Sequence, residues 1–236
     1  MRRKLIGILL LGFASGLPYM LVFSTLTAWL RDAGISLTEI GFFAWLVLTY
    51  SLKFLWAPFV DRYSVLGFKV FGKRRGWILF SQSVIFLSLI SMSFIDPLQN
   101  IQLLALFAFF AAFFGSIQDV AVDALRIEIG EAKEQGDLAA SYQLGYRVAI
   151  LVATSMALIF ADLYSWAYVY QLMGILMLVG SAGALICYEP NNQEIAILRF
   201  DEALSGAFKD FFHRFGLWSA ALLLLIISTY RLTDIV

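Results

Sequence analysis

The sequence has little with which to do covalent chemistry. It holds one cysteine, Cys187, which excludes an internal disulfide, and one histidine, His213, which leaves no ligand cluster at metal-binding spacing. Charge is scarce as well: 14% of residues are Asp, Glu, Lys or Arg, where a soluble domain carries about 25%. Seventeen basic residues balance seventeen acidic ones, so no excess of one sign points to nucleic acid. No Ser, His and Asp set and no glycine-rich phosphate loop stands at usable positions. An enzyme is therefore not expected, nor a cofactor or a metal.

What the chain does have is apolar surface, 61% of its 236 residues, more than a soluble fold of this length could hide. A membrane helix needs about 20 mostly apolar residues, and such runs occupy 5–30, 40–60, 77–95, 97–126, 138–161 and 163–188, with a seventh over 215–236. The expected fold is all-α and polytopic. Trp29, Trp77, Trp166, Trp218 and Tyr188 fall near span ends, where amphipathic rings favour the headgroup zone, although each alone is equally compatible with ordinary apolar packing.

Orientation follows from basic residues in the short loops. Thirteen of the seventeen lie before the first span or in the second, fourth and sixth connections, whereas the alternate connections hold Arg31 alone. The N-terminus is expected to be cytoplasmic. A basic start followed by an apolar run resembles a signal peptide, but the run continues to Leu30, too long for a cleaved segment.

The only long connection, 189–214, begins with Glu189-Pro190-Asn191-Asn192-Gln193, which stops the sixth helix. Beyond it Ile197, Phe200, Leu204, Phe208, Phe211 and Phe215 recur at three or four residues, with Arg199, Asp201, Glu202, Lys209 and Asp210 between them. That pattern predicts an amphipathic helix, lying on the membrane surface or packed on the protein's own helices. Six helices, a cytoplasmic linker and a seventh helix make the opening of a major facilitator fold.

Ionisable residues at membrane depth are costly and each is a functional candidate. At 1.5 Å per residue, Lys53 lies about 12 Å from Asp61 at the end of the second span, Asp119 about 10 Å from Arg126 in the fourth, and Arg147 about 13 Å past Leu138 in the fifth. They share one depth. Asp119, Asp123 and Arg126 form one stripe, and Gln143 and Arg147 form a similar pair. Two carboxylates so close disfavour double ionisation, which makes one a candidate proton carrier. The competing reading is permanent pairing with Lys53, Arg126 and Arg147 as glue between helices or as a gate. Asp61 ends a helix where the macrodipole disfavours an anion, so it needs a cation from Arg62, the Lys73-Arg74-Arg75 cluster or Arg126. The cluster could equally serve only to orient the chain.

Gly12-Phe13-Ala14-Ser15-Gly16-Leu17-Pro18, Leu52-Lys53-Phe54-Leu55-Trp56-Ala57-Pro58 with Asp61-Arg62, Arg74-Arg75-Gly76-Trp77, Gln118-Asp119-Val120-Ala121-Val122-Asp123-Ala124 and Gly145-Tyr146-Arg147 together resemble the AmpG-type muropeptide permeases. These form a branch of the major facilitator superfamily similar also to acetyl-coenzyme A transporters. The resemblance implies proton-coupled import of anhydro-muropeptides, the fragments released in cell-wall turnover, across the bacterial inner membrane. It also implies a gating loop at Asp61 and Arg62, although here about ten residues separate Arg62 from the basic cluster, where the usual loop is tighter. Family members resemble two six-helix halves, and this chain is expected to be truncated within its seventh helix. Transport then requires a second half-transporter. The alternative is a non-transporting permease remnant or a membrane interaction module.

Overall fold

In a computed structural model the described residues are 1–65, 67–189, 212–214, 216, 218–220, 222 and 223. The anticipated amphipathic linker helix and most of the seventh span lie outside them. Contacts divide the chain into residues 1–191 and 192–236. In the second unit the described stretches 212–214 and 218–220 are helical.

The first unit contains six helices long and apolar enough to cross a membrane: α1 (Arg2–Asp32), α2 (Leu37–Leu55), α3 (Lys73–Ser93), α4 (Pro97–Ile129), α5 (Ala132–Leu163) and α6 (Trp166–Ile186). Their ends are marked in the sequence. Ser36 and Glu39 form a reciprocal capping box at the start of α2. Asp96 accepts from the Leu98 N–H, with Pro97 as the first residue of α4. Ser165 accepts from the Tyr168 N–H at the start of α6.

The helix α1 packs against α5, α6 and α4, and α3 against α4 and α6. Its contact with α5 is a backbone approach: a Cβ on Gly12 would collide with the Tyr142 carbonyl, and one on Gly145 with the Leu9 carbonyl. Small residues serve this purpose in membrane helices, where association depends on close packing. Two buried apolar clusters result. One holds Ile8, Leu11, Trp77, Ile78, Val122 and Leu125, and the other Leu17, Leu21, Leu26, Leu89, Leu104 and Tyr170.

Two helices change winding at the same level. Leu21–Thr25 in α1 and Val152–Met156 in α5 are π turns, each leaving carbonyls that regular winding would engage. Thr25 Oγ1 donates to the Ala153 carbonyl, and Tyr170 OH on α6 donates to the Leu21 carbonyl at 3.0 Å. The helix α2 is irregular differently, passing through 3-10 turns at Ala44–Leu46 and Lys53–Leu55 before a short helix at Ala57–Arg62.

Candidate functional site

Ion pairs draw most of the candidate charges of the first unit into two groups. The first lies between α2, α4 and α5. Lys53, in the 3-10 turn that ends α2, has its Nζ 3.9 Å from Asp123 Oδ2, and Arg126 reaches Asp123 Oδ1 at 3.6 Å. Both partners of the Lys53–Asp123 pair are about two-fifths exposed. Arg126 also lies over the Tyr142 ring of α5 at 5.8 Å, within the range of a cation–π contact.

Asp119 differs from Asp123, one helical turn away on the same stripe. It is buried, and its Oδ1 has no hydrogen-bond partner among the described residues. Ser15 of α1, Lys53 of α2 and Asp123 act on it most directly, with Tyr50 and Tyr142 within electrostatic reach. The neighbouring Gln118 is also buried with both side-chain polar atoms unpartnered, as is Tyr50 OH. Buried polar groups are ordinarily satisfied; open atoms also stand at Trp56, Ser81 and Gln82 of the first unit, and Asp119 is the one acid among those described. Rings of Tyr19, Phe23 and Tyr50 meet edge-on beside it, the Tyr19–Tyr50 centroids 5.1 Å apart.

Gln143 and Arg147 do not join this group by any ion pair. Both are exposed on α5, and Arg147 stands fifteen residues from Ala132 and sixteen from Leu163, at the midpoint of the span.

The second group is at the junction between α2 and α3. Arg74 is only 6% exposed at its side chain and holds two carboxylates. Its Nη1 donates to Asp61, and its Nε and Nη2 reach Glu128 Oε1 at 2.9 and 2.8 Å. Asp61 thus takes its cation from Arg74; Arg62 lies over the Tyr63 ring at 5.6 Å instead. The start of α3 has no cap of its own, because Gly72 before it adopts φ 102° and carries no side chain. Glu189 supplies one: its carboxylate accepts from the backbone N–H groups of Lys73, Arg74 and Arg75 at 2.8, 2.9 and 3.0 Å. An anion at a helix N-terminus satisfies free donors and opposes the macrodipole. A Cβ at Gly72 would collide with that carboxylate.

Sequence reasoning missed Glu128 and Glu189. Glu128 carried a readable signal: it is an acid in the last turn of α4, the position that marked Asp61 as needing a cation. Glu189 had none, because its partners are backbone groups 114 to 116 residues away.

Comparison with known proteins places this arrangement in context. The Major Facilitator Superfamily profile matches residues 8–233. The anhydromuropeptide permease of Escherichia coli strain K12 is 37% identical over 228 residues, 96% of this chain and 45% of that protein. A Rickettsia felis protein named for the AmpG transporters is 31% identical over 241 residues, 98% of this chain and 57% of that protein. An uncharacterised Haemophilus influenzae protein is 34% identical over 235 residues, 98% of this chain and 54% of its own length. The chain therefore spans about half the length of the curated relatives it matches.

Proposed function

The chain belongs to the Major Facilitator Superfamily, and from that premise we propose that its first six helices form one half of a proton-coupled importer of anhydro-muropeptides in a bacterial inner membrane. The first residues face the cytoplasm. The substrate class is supported by similarity to the permease of E. coli over 96% of the chain. Superfamily members move substrate by rocking one six-helix body against another around a site near the bilayer midplane.

The observation that carries the transport reading is Asp119, buried with an open carboxylate oxygen one turn from the partly exposed Lys53–Asp123 pair. A purely structural acid at that depth would be fully paired, because an unsatisfied one costs several kcal/mol. In this proposal Asp119 and Asp123 carry the proton and Lys53 is their counter-charge. Gln143 and Arg147 meet anionic groups of the substrate. Asp61, Arg62, Arg74, Arg75 and Arg126 belong to the cytoplasmic gate.

Exposure of Arg147 supports a second half. A guanidinium at mid-span facing lipid costs about 2.5–3.5 kcal/mol on insertion scales, whereas facing a water-filled path or a second helical body it costs far less. The other six-helix body, in the same or a separate chain, completes the site.

The test is uptake of labelled anhydro-muropeptide by permease-deficient cells expressing these 236 residues, alone and with a separately expressed six-helix half. Uptake that depends on the second half, collapses with a protonophore and is lost in Asp119→Asn is expected, since an amide cannot carry the proton. Protonophore-insensitive uptake unchanged in Asp119→Asn and Asp123→Asn would remove proton coupling. Absence of uptake in every combination, at normal membrane expression, would favour a non-transporting remnant. Undiminished substrate binding by Arg147→Ala would remove its anion-contact role.

A further inference from the structure

The structure holds a groove that the transport reading leaves unused. Along α1, Arg3, Ile6, Leu10 and Phe13 recur at three or four residues and face one way. Near the start of the helix, Arg3 and Ile6 join Leu185 and Ile186 of α6 around a hollow of about 440 Å³. Further along, Leu9, Leu10 and Phe13 join Leu144, Gly145 and Val148 of α5 and Val179 of α6 around a second hollow of about 320 Å³, whose lining is wholly apolar. Both follow the same face of α1, one after the other.

Three features define what fits. The first is length: ten residues separate Arg3 from Phe13, about 15 Å of helix, which is half of the ~30 Å hydrocarbon core and so the depth of one leaflet. The second is charge. Lys4 is neutralised by Glu134 at 2.8 Å, and Arg74 by Asp61 and Glu128, but Arg3 is exposed and has no ion pair among the described residues. No acidic residue stands in the first turn of α1 to compensate it. The third is separation from the transport machinery. Leu144 and Val148 lie about 100° further round α5 than Gln143 and Arg147, so the groove and the midplane arginine occupy different flanks of that helix.

We propose that this groove binds an anionic phospholipid, with its phosphate on Arg3 and one acyl chain laid along Ile6, Leu10 and Phe13 between α5 and α6. A cation at the headgroup level above a leaflet-deep apolar trough matches such a lipid at both ends. A zwitterionic lipid also offers a phosphate, but its ammonium group repels the same cation, so the lipid of net negative charge is held more tightly. The bound chain fills the gap between α5 and α6, which α1 leaves open on this side, and so steadies the six-helix body irrespective of any transported substrate.

The test is native mass spectrometry of the full chain released from nanodiscs holding phosphatidylethanolamine and phosphatidylglycerol in equal amounts. The wild-type protein and Arg3→Lys are expected to retain phosphatidylglycerol selectively. Arg3→Gln should lose about fivefold of that selectivity, the factor that one basic residue near an anionic surface contributes. Leu10→Trp, which fills the trough, should lower retention of both lipids while circular dichroism confirms an unchanged helix content. Equal retention of the two lipids by the wild type, or selectivity unchanged in Arg3→Gln, would overturn the proposal. So would photo-crosslinking from position 10 into residues 212–236 in place of lipid, since the groove would then belong to the chain's own segment.

Discussion

Arg74 is the residue on which the α2–α3 junction turns. It is nearly enclosed while Asp61 is about half exposed, so only its contact with Glu128 carries the weight of a buried pair. Removing one partner of such a pair costs about 3–5 kcal/mol, and the exposed contact adds less than about 1. Arg74→Ala is therefore expected to lower stability by roughly 3 kcal/mol, read as an earlier thermal transition in detergent, and Arg74→Lys by less because one charge remains. An unchanged transition in Arg74→Ala would show that the two acids need no cation. Glu189→Ala strips a cap from three backbone donors and should cost about 1–2 kcal/mol, with Glu189→Gln keeping part of it. The readout is faster amide exchange at residues 73–75. Cys187, just past α6, is buried and its thiol is pushed up to about 11 by burial, opposed only partly by Arg75. At pH 7 about one part in ten thousand is thiolate. Maleimide labelling of the folded wild-type protein should be negligible at pH 7 and rise about tenfold per pH unit toward 11; rapid labelling at pH 7 would contradict the burial.

At the scale of elements, helix existence was legible from apolar run length, whereas the caps at Ser36 and Ser165, passed over in that reading, move two starts from 40 and 163 to Leu37 and Trp166. The π turns were not legible. Thr25 is one polar residue among several on α1, and a π turn depends on which carbonyl a neighbouring helix can engage. Thr25→Val keeps the shape and removes the donor. It should cost about 0.6–1.7 kcal/mol, the range for hydrogen bonds between membrane helices, with faster exchange confined to residues 152–157 of α5. Uniform exchange across α5 would mean that the turn does not depend on Thr25. The breaks in α2 were equally hidden, and they put Lys53 in the 3-10 turn that ends the helix, where it meets Asp123, one of the two acids that the spacing had offered it.

For the whole molecule, the uneven distribution of basic residues makes an orientation test decisive. With Cys187 silent, Val70→Cys in the α2–α3 loop and Asp162→Cys at the end of α5 report opposite sides; Val70 is 92% exposed, and Asp162 is exposed as well. A membrane-impermeant maleimide added to intact spheroplasts should label Asp162→Cys and spare Val70→Cys, and the reverse pattern would invert the proposed topology. The six apolar runs, their order and the polytopic character were determined by sequence alone, because length and hydropathy are local quantities that the bilayer reads directly. The partners of the charges were decided by tertiary structure. Asp119 and Asp123 sit four residues apart with similar neighbours in sequence, yet α1 and α2 bury the first and leave the second at a partly exposed pair. The junction at Arg74 likewise draws acids from three separate parts of the chain, Asp61, Glu128 and, through the backbone, Glu189. Electrostatic energy depends on distance through space and on local burial, and neither is written in the spacing of residues along one helix.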